Sequence, residues 1–178
     1  MTIQEIERAF LTGIRVDGSF VGWVSYRIPL LVALQNSTGK IIEMGAGLGS
    51  TELLRAYALA SGREFETYET DAEWAAKTGA THILDWDVVS VSCGLLFVDH
   101  APGERRKVDL ARAASLATVV VAHDTEPAAD HGYGMRDVIK AKYLYAYDFN
   151  IQGAWATVMS NFVDVRAWAT RIEELRDL

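Results

Sequence analysis

Two continuous apolar runs, "GLLFV" at 94–98 and "TVVVA" at 118–122, limit most strongly what this chain can fold into. A strand that is apolar on both sides needs cover on both faces, the situation of a central strand in a parallel sheet. The flanking segments alternate to match. Lys40–Met44 and Phe65–Tyr68 are β-rich, Ser50–Ala60 is helical and ends at Gly62, and Thr81–Leu84 supplies a third strand. Thr70 and Glu73 have capping-box spacing, which predicts a helix to about Lys77. A helix over Glu104–Leu116 joins the two apolar runs, and another follows Gly134 to about Ala141. "YLYAYDF" and "AWATVMSN" are then separated only by a turn around Asn150–Gly153. The expected fold is α/β: a doubly wound, mostly parallel seven-stranded sheet with an antiparallel C-terminal edge hairpin and helices on both faces.

One domain is expected over 1–178, with 38–162 as its core. Residues 1–37 read as an N-terminal helical cap or lid. Ile3, Ile6, Phe10 and Ile14 mark one amphipathic helix, Pro29 opens a second, and Arg15–Trp23 forms a loop between them. Residues 163–178 have helical periodicity. The net charge of −7 and the lack of a basic run disfavour nucleic acid, whose binding draws on Lys and Arg. No apolar run nears the roughly 20 residues of a membrane span, and "MTIQEIERAFLTG" has no signal-peptide pattern. Cys93 is the only cysteine, reads as a packing residue, and fits a reducing cytoplasm. A small-molecule partner is the expectation, with a homo-oligomer left open.

Ligands of such sheets bind beyond the carboxyl ends of the strands. The first of those ends reads "IIEMGAGLGST", with Gly45, Gly47 and Gly49 alternating. Ser50 stands where a dinucleotide fingerprint wants its last glycine, and no Gly-Lys-Ser/Thr follows, which excludes a P-loop. Glu43 is awkward beside a pyrophosphate but suits the cationic amino group of an amino-acid ligand. The second strand ends in Glu69, 20 residues after Gly49, the spacing of a carboxylate that accepts ribose hydroxyls. Asp71 reads as a helix-start acid instead. Asp99 and His100 follow the fourth strand, and His123 and Asp124 follow the fifth.

"IIEMGAGLGST" resembles the first motif of the class I S-adenosylmethionine (SAM)-dependent methyltransferases, and the resemblance extends over the Gly39–Asn161 fold pattern. It implies SAM as cofactor, held by Glu43, Gly45, Ala46, Gly47, Gly49, Ser50, Thr51 and Glu69. It further implies Asp85 at the adenine amino group, Trp86 covering the ring, and Asp99 near the cofactor. The alternative for Asp85 and Trp86 is a polar turn beside a core tryptophan. Acids at both later strand ends resemble the divalent-metal-dependent O-methyltransferases, sugar-modifying ones included. That implies Asp99 and Asp124 as ligands of an ion such as magnesium, although His123 stands where those enzymes commonly carry Asp followed by Asn.

His123 or His100 is then a candidate general base, with Asp124 beside it, or a structural hydrogen-bond partner. Glu126 would join a metal or face solvent. Arg105 and Arg106 stand at a helix start, where cations are unfavourable, and should pair with an acid such as Glu104 or Asp109. His131, Tyr133, Trp23 and Tyr26 are candidates for substrate contact, the first two from the loop Ala128–Met135. The expected function is SAM-dependent methylation of a small-molecule hydroxyl. The alternatives are a metal-dependent hydrolase using Asp99, His123 and Asp124, and a module that binds or cleaves the cofactor without methyl transfer.

Overall fold

The computed structural model describes residues 1–16, 19–20, 22–127 and 133–177. Its centre is a seven-stranded sheet made of β1 (Ile41–Met44), β2 (Phe65–Glu69), β3 (Thr81–His82), β4 (Cys93–Val98), β5 (Ala117–His123), β6 (Tyr145–Ile151) and β7 (Ala154–Ser160). The spatial order is β3-β2-β1-β4-β5-β7-β6. The first five strands are parallel; β7 runs antiparallel to both β5 and β6. The expected edge hairpin is present, and its two-residue turn puts both Gln152 and Gly153 at positive φ, the geometry that matches strand twist. The third strand is shorter than its sequence pattern suggests, with two residues in place of four.

Alternate residues of the strands enter two separate apolar layers. Ile41, Leu95, Phe97, Val119, Val121 and Val158 pack with helices α1 (Ile3–Leu11), α2 (Arg27–Gln35) and α3 (Thr51–Ser61), and with α7 (Ala169–Arg176). Ile42, Leu96, Val98, Val120 and Ala122 meet α5 (Arg106–Ala113) and α6 (Met135–Lys142) on the other side. Helix α2 begins two residues before Pro29, whose ring the first turn tolerates. Its residues from Ile28 to Leu34 are all buried, so this part of the N-terminal segment is core.

A capping box closes the start of α1, Thr2 with Glu5. The one expected at α4 (Ala72–Thr78) is absent: Asp71 caps that helix by accepting from Trp74 N at 2.7 Å, one residue later than Thr70. The helix expected over Glu104–Leu116 is a 3-10 turn, Gly103–Arg105, followed by the shorter α5. The order of strand addition reverses between the parallel neighbours β1 and β4, the switch point of the sheet. Met44 is in register with both Tyr68 and Val98, and Val98 with Ala122. The chain therefore leaves β1, β2, β4 and β5 at one level, bringing Gly45, Glu69, Asp99 and His123 to the same edge.

Candidate functional site

Gly45 turns the chain out of β1 at φ +96°, and a Cβ there would lie 2.5 Å from backbone atoms of Asp99 and His100. No L side chain fits that space or that conformation. The other two loop glycines also have neighbours within the protein. A Cβ on Gly49 would come 2.8 Å from the Tyr26 hydroxyl, and one on Gly47 3.0 Å from Ser50 Oγ. Chain packing thus accounts for part of the bareness of this loop.

Glu43 lies under the loop, fully buried. Its Oε2 accepts from Thr51 Oγ1 and Thr67 Oγ1, both at 2.7 Å, while Oε1 has no partner. Burial pushes its carboxyl up to about 7 against the hydrogen bonds, with the Asp99 charge adding to the rise. Glu43, Gly45 and Thr51 shape the loop from beneath, and none of them lines the two cavities that flank it. Glu69 turns towards the loop: its Oε2 accepts from Ala46 N–H at 3.2 Å, and Oε1 from the N–H groups of Thr70 and Asp71. Oε2 keeps capacity for one more donor.

Two cavities meet across this loop. The first, about 580 Å³, is lined by Ala46, Glu69, Asp71, Trp74, Lys77 and Asp99 among others. The second, about 600 Å³, lies between Tyr26, the Gly47–Ser50 turn, His123 and Asp124, with Asp99 and Trp74 shared between the two. The Trp74 indole spans the boundary and donates to Ala46 O at 2.5 Å. Trp23 and Leu48 are exposed apolar side chains at the second mouth. Burial pushes the Tyr26 phenol up to about 12, so it remains a neutral hydroxyl in this wall.

His123 is 5 % exposed. Its Nδ1 lies 3.2 Å from Asp99 Oδ1 and 3.4 Å from Asp124 Oδ1, and its Nε2 3.2 Å from Ser25 Oγ. Burial alone would lower the imidazole pKa, but the hydrogen bond and charge of Asp99, with Asp124, outweigh it and hold the pKa above the usual value. The sequence Ser25–His123–Asp99 has the connectivity of a nucleophilic relay. Ser25, however, is 2 % exposed and outside the cavity lining, and an imidazole kept charged to higher pH donates to its hydroxyl. Asp124 adopts φ +54°, a left-handed conformation costly for a residue with a side chain, and so holds its carboxylate against local preference.

The carboxylates share a further partner. Arg106 Nη2 lies 3.1 Å from Asp99 Oδ1 and Nη1 2.9 Å from Asp124 Oδ2. Asp99, His123 and Asp124 do present ligand atoms within 4.8 Å of one another. The donor set nevertheless does not fit a magnesium ion while the guanidinium is there. A divalent ion about 4 Å from a fixed positive charge is opposed by about 8 kcal/mol at the effective dielectric of a protein surface.

The remaining sequence candidates are placed elsewhere. His100 is 1 % exposed, stacked on Trp86 with ring centroids 4.3 Å apart, its Nε2 3.1 Å from Asp109 Oδ2 but out of line for a hydrogen bond. It reaches neither cavity, which corrects its reading as a base. Trp86 is buried and donates to Ala101 O at 3.0 Å, and the exposed Asp85 accepts from Asp87 N and faces Arg105 at 3.5 Å. The local geometry is that of a polar turn beside a core tryptophan. Arg105 pairs with Asp109 as expected, whereas the partners of Arg106 are Asp99 and Asp124. Glu126 accepts from Trp155 N, and Tyr133 packs over Gly103 and Arg106. His131 lies outside the described residues, as do 17, 18 and 21 of the expected lid. Burial pushes the Cys93 thiol up to about 12, which leaves it inert.

Sequence reasoning missed Ser25 and Trp74. Ser25 is 98 residues from His123, with no local pattern to link them. Trp74 could have been found, as an aromatic in the first turn of the helix that follows the Glu69 strand end.

Among solved structures, the chain is similar to the O-methyltransferase from Bacillus cereus in complex with SAH, at 15% identity, 88% coverage of each chain and a TM-score of 0.53. The O-methyltransferase TomG from Streptomyces achromogenes, involved in tomaymycin synthesis and in complex with SAM, matches at 16% identity, 89% and 88% coverage and a TM-score of 0.50. The fold is that of the class I methyltransferases. No protein-family model matches the sequence, and no curated protein does. Within the methyltransferase fold, both cavities lie at the switch point, beyond the carboxyl ends of the strands. No helix among the described residues is long and apolar enough to cross a membrane.

Proposed function

We propose that this chain is a SAM-dependent methyltransferase acting on a hydroxyl of a small molecule with an apolar body. The observation that carries the reading is the approach of Glu69 Oε2 to Ala46 N–H at 3.2 Å, which sets a carboxylate beside the glycine loop at the edge of a 580 Å³ cavity. Oε2 has room to accept a ribose hydroxyl there, and the cavity has room for an adenosyl group. SAM, when bound, supplies a methyl group activated by its bond to a positively charged sulfur.

The second cavity would hold the acceptor. Trp23 and Leu48 at its mouth offer apolar contact to the acceptor body, and its inner wall carries His123, Asp99 and Asp124. With Nε2 held by the buried Ser25 hydroxyl, the acceptor proton would pass to Nδ1 by way of Asp124, which lines this cavity 3.4 Å from that nitrogen, while Asp99 fixes the ring. SAM held in the first cavity would supply its methyl group to the acceptor oxygen, and the walls of the two cavities would keep the two reactants within about 3–3.5 Å of each other. Asp99 and Trp74, which border both cavities, bring the reactants together.

The hydrolase reading draws on the same cluster but needs a metal ion where Arg106 already binds both carboxylates. Calorimetric titration with SAM, using Glu69→Gln as control, tests the proposal. Binding that weakens in the variant supports it, and no heat at millimolar SAM rejects it. Mass spectrometry of the products separates transfer, which yields S-adenosylhomocysteine, from cleavage, which yields methylthioadenosine.

A further inference from the structure

We propose that Arg106 is the built-in cation of the Asp99–His123–Asp124 cluster, occupying the place a divalent metal would otherwise take, so that the site is assembled without metal. Arg106 is the first residue of α5, where the helix dipole disfavours a positive charge. It is nevertheless buried, 7 % exposed. A buried cation at that end of a helix persists only if other groups hold it.

Four contacts do so. Nε donates to His100 O at 2.7 Å and Nη1 to His123 O at 3.2 Å, which ties the guanidinium to the chain just beyond β4 and to the last residue of β5. Nη1 also reaches Asp124 Oδ2 and Nη2 reaches Asp99 Oδ1, so one planar group bridges acids from both strand ends. The Tyr133 ring lies 5.5 Å from the guanidinium carbon. Two backbone carbonyls fix its position independently of the carboxylates, which separates this arrangement from a flexible surface ion pair.

The charges point the same way. Two carboxylates already face one permanent cation, so a divalent ion added to the cluster would leave net positive charge in a partly buried place. Asp99 Oδ1 is also shared between Arg106 and His123, which leaves that oxygen poorly placed to ligate a metal. Arg106 lines neither cavity, so it is a positioning residue that acts through the carboxylates. The inference concerns the cluster alone and stands whether or not SAM is the cofactor.

Manganese(II), followed by electron paramagnetic resonance on the purified full chain, is the probe. Wild type is expected to show no binding tighter than about 1 mM. Arg106→Met, which keeps the stem and removes the charge, is expected to bind manganese at least about 10-fold more tightly, because two carboxylates are then left without their cation beside an imidazole that can ligate. Adding Asp99→Asn to that variant should abolish the gain. Arg106→Lys, which keeps the charge, should exclude the ion as wild type does. Stoichiometric binding by wild type below about 100 μM would overturn the proposal. So would a folded Arg106→Met, judged by circular dichroism, that gains no affinity. The wild-type titration decides even if no variant folds.

Discussion

Thr51 Oγ1 donates to Glu43 Oε2 at 2.7 Å and itself accepts from Gly47 N–H at 2.9 Å, so one hydroxyl links a buried acid to the glycine loop above it. Thr51→Val keeps the shape and removes both bonds. Each buried group left unpaired costs about 1–3 kcal/mol. Urea unfolding should show a loss in this range, and SAM titration should show weaker binding because the loop loses its support from below. An unchanged unfolding midpoint would contradict this account of the loop.

Glu43 makes stability depend on pH in the direction opposite to most acids. Its folded pKa, about 7, exceeds the ordinary value of 4.5, so the folded state binds the extra proton between these values. Stability therefore falls as pH rises through that window, by about 3 kcal/mol once the group is fully charged. Glu43→Gln removes the charge and should flatten the decline. The measurement is unfolding free energy at pH 5 and pH 8 for both proteins; parallel changes would refute it.

For His123 the shift is upward from 6.5. Its contribution to folding is complete below the unfolded pKa and is lost as pH rises through the higher folded one. The base form appears over that same upper range, so methyl transfer should increase with pH through an apparent pKa above 6.5. His123→Asn should abolish this limb and lower the rate by about 100-fold or more. A pH-independent rate in wild type would remove His123 from the chemistry.

Glu69→Gln tests the ribose contact. The amide keeps one acceptor oxygen but loses the charge, and a charged hydrogen bond is worth about 1.5–3 kcal/mol, or roughly 10–100-fold in affinity. The variant should weaken SAM by this factor. Part of the loss will come from the loop, since the carboxylate also accepts from Ala46 N–H. Comparison with 5′-deoxy-5′-methylthioadenosine lacking the ribose hydroxyls separates the two, because its affinity should fall only by the loop's share of the loss.

The sheet was readable because its signals are local. Apolar runs such as "TVVVA" require cover on both faces, and β5 is buried along nearly its whole length. Strand ends were readable for the same reason, which is how Glu69, Asp99 and His123 were found. The roles of residues near those ends were less so. His100 and His123 both follow an apolar strand beside an acid, yet one stacks on Trp86 in the core and the other faces a cavity. Only the packing of α5 decides between them. The pairing of Arg106 with Asp99 and Asp124 was equally hidden, because the nearer acid, Asp109, was taken by Arg105 and Arg112. Charge at a helix start announces that a partner exists without saying which.

The close approach of Gly45 to the backbone of Asp99 and His100 leaves the floor of the site with no give. A ligand of a different outline would have to be accommodated by the sides, where Trp23, Leu48 and Trp74 belong to segments outside the sheet. Selectivity in this architecture can therefore be rewritten at the walls, one side chain at a time, while the platform beneath carries on unchanged.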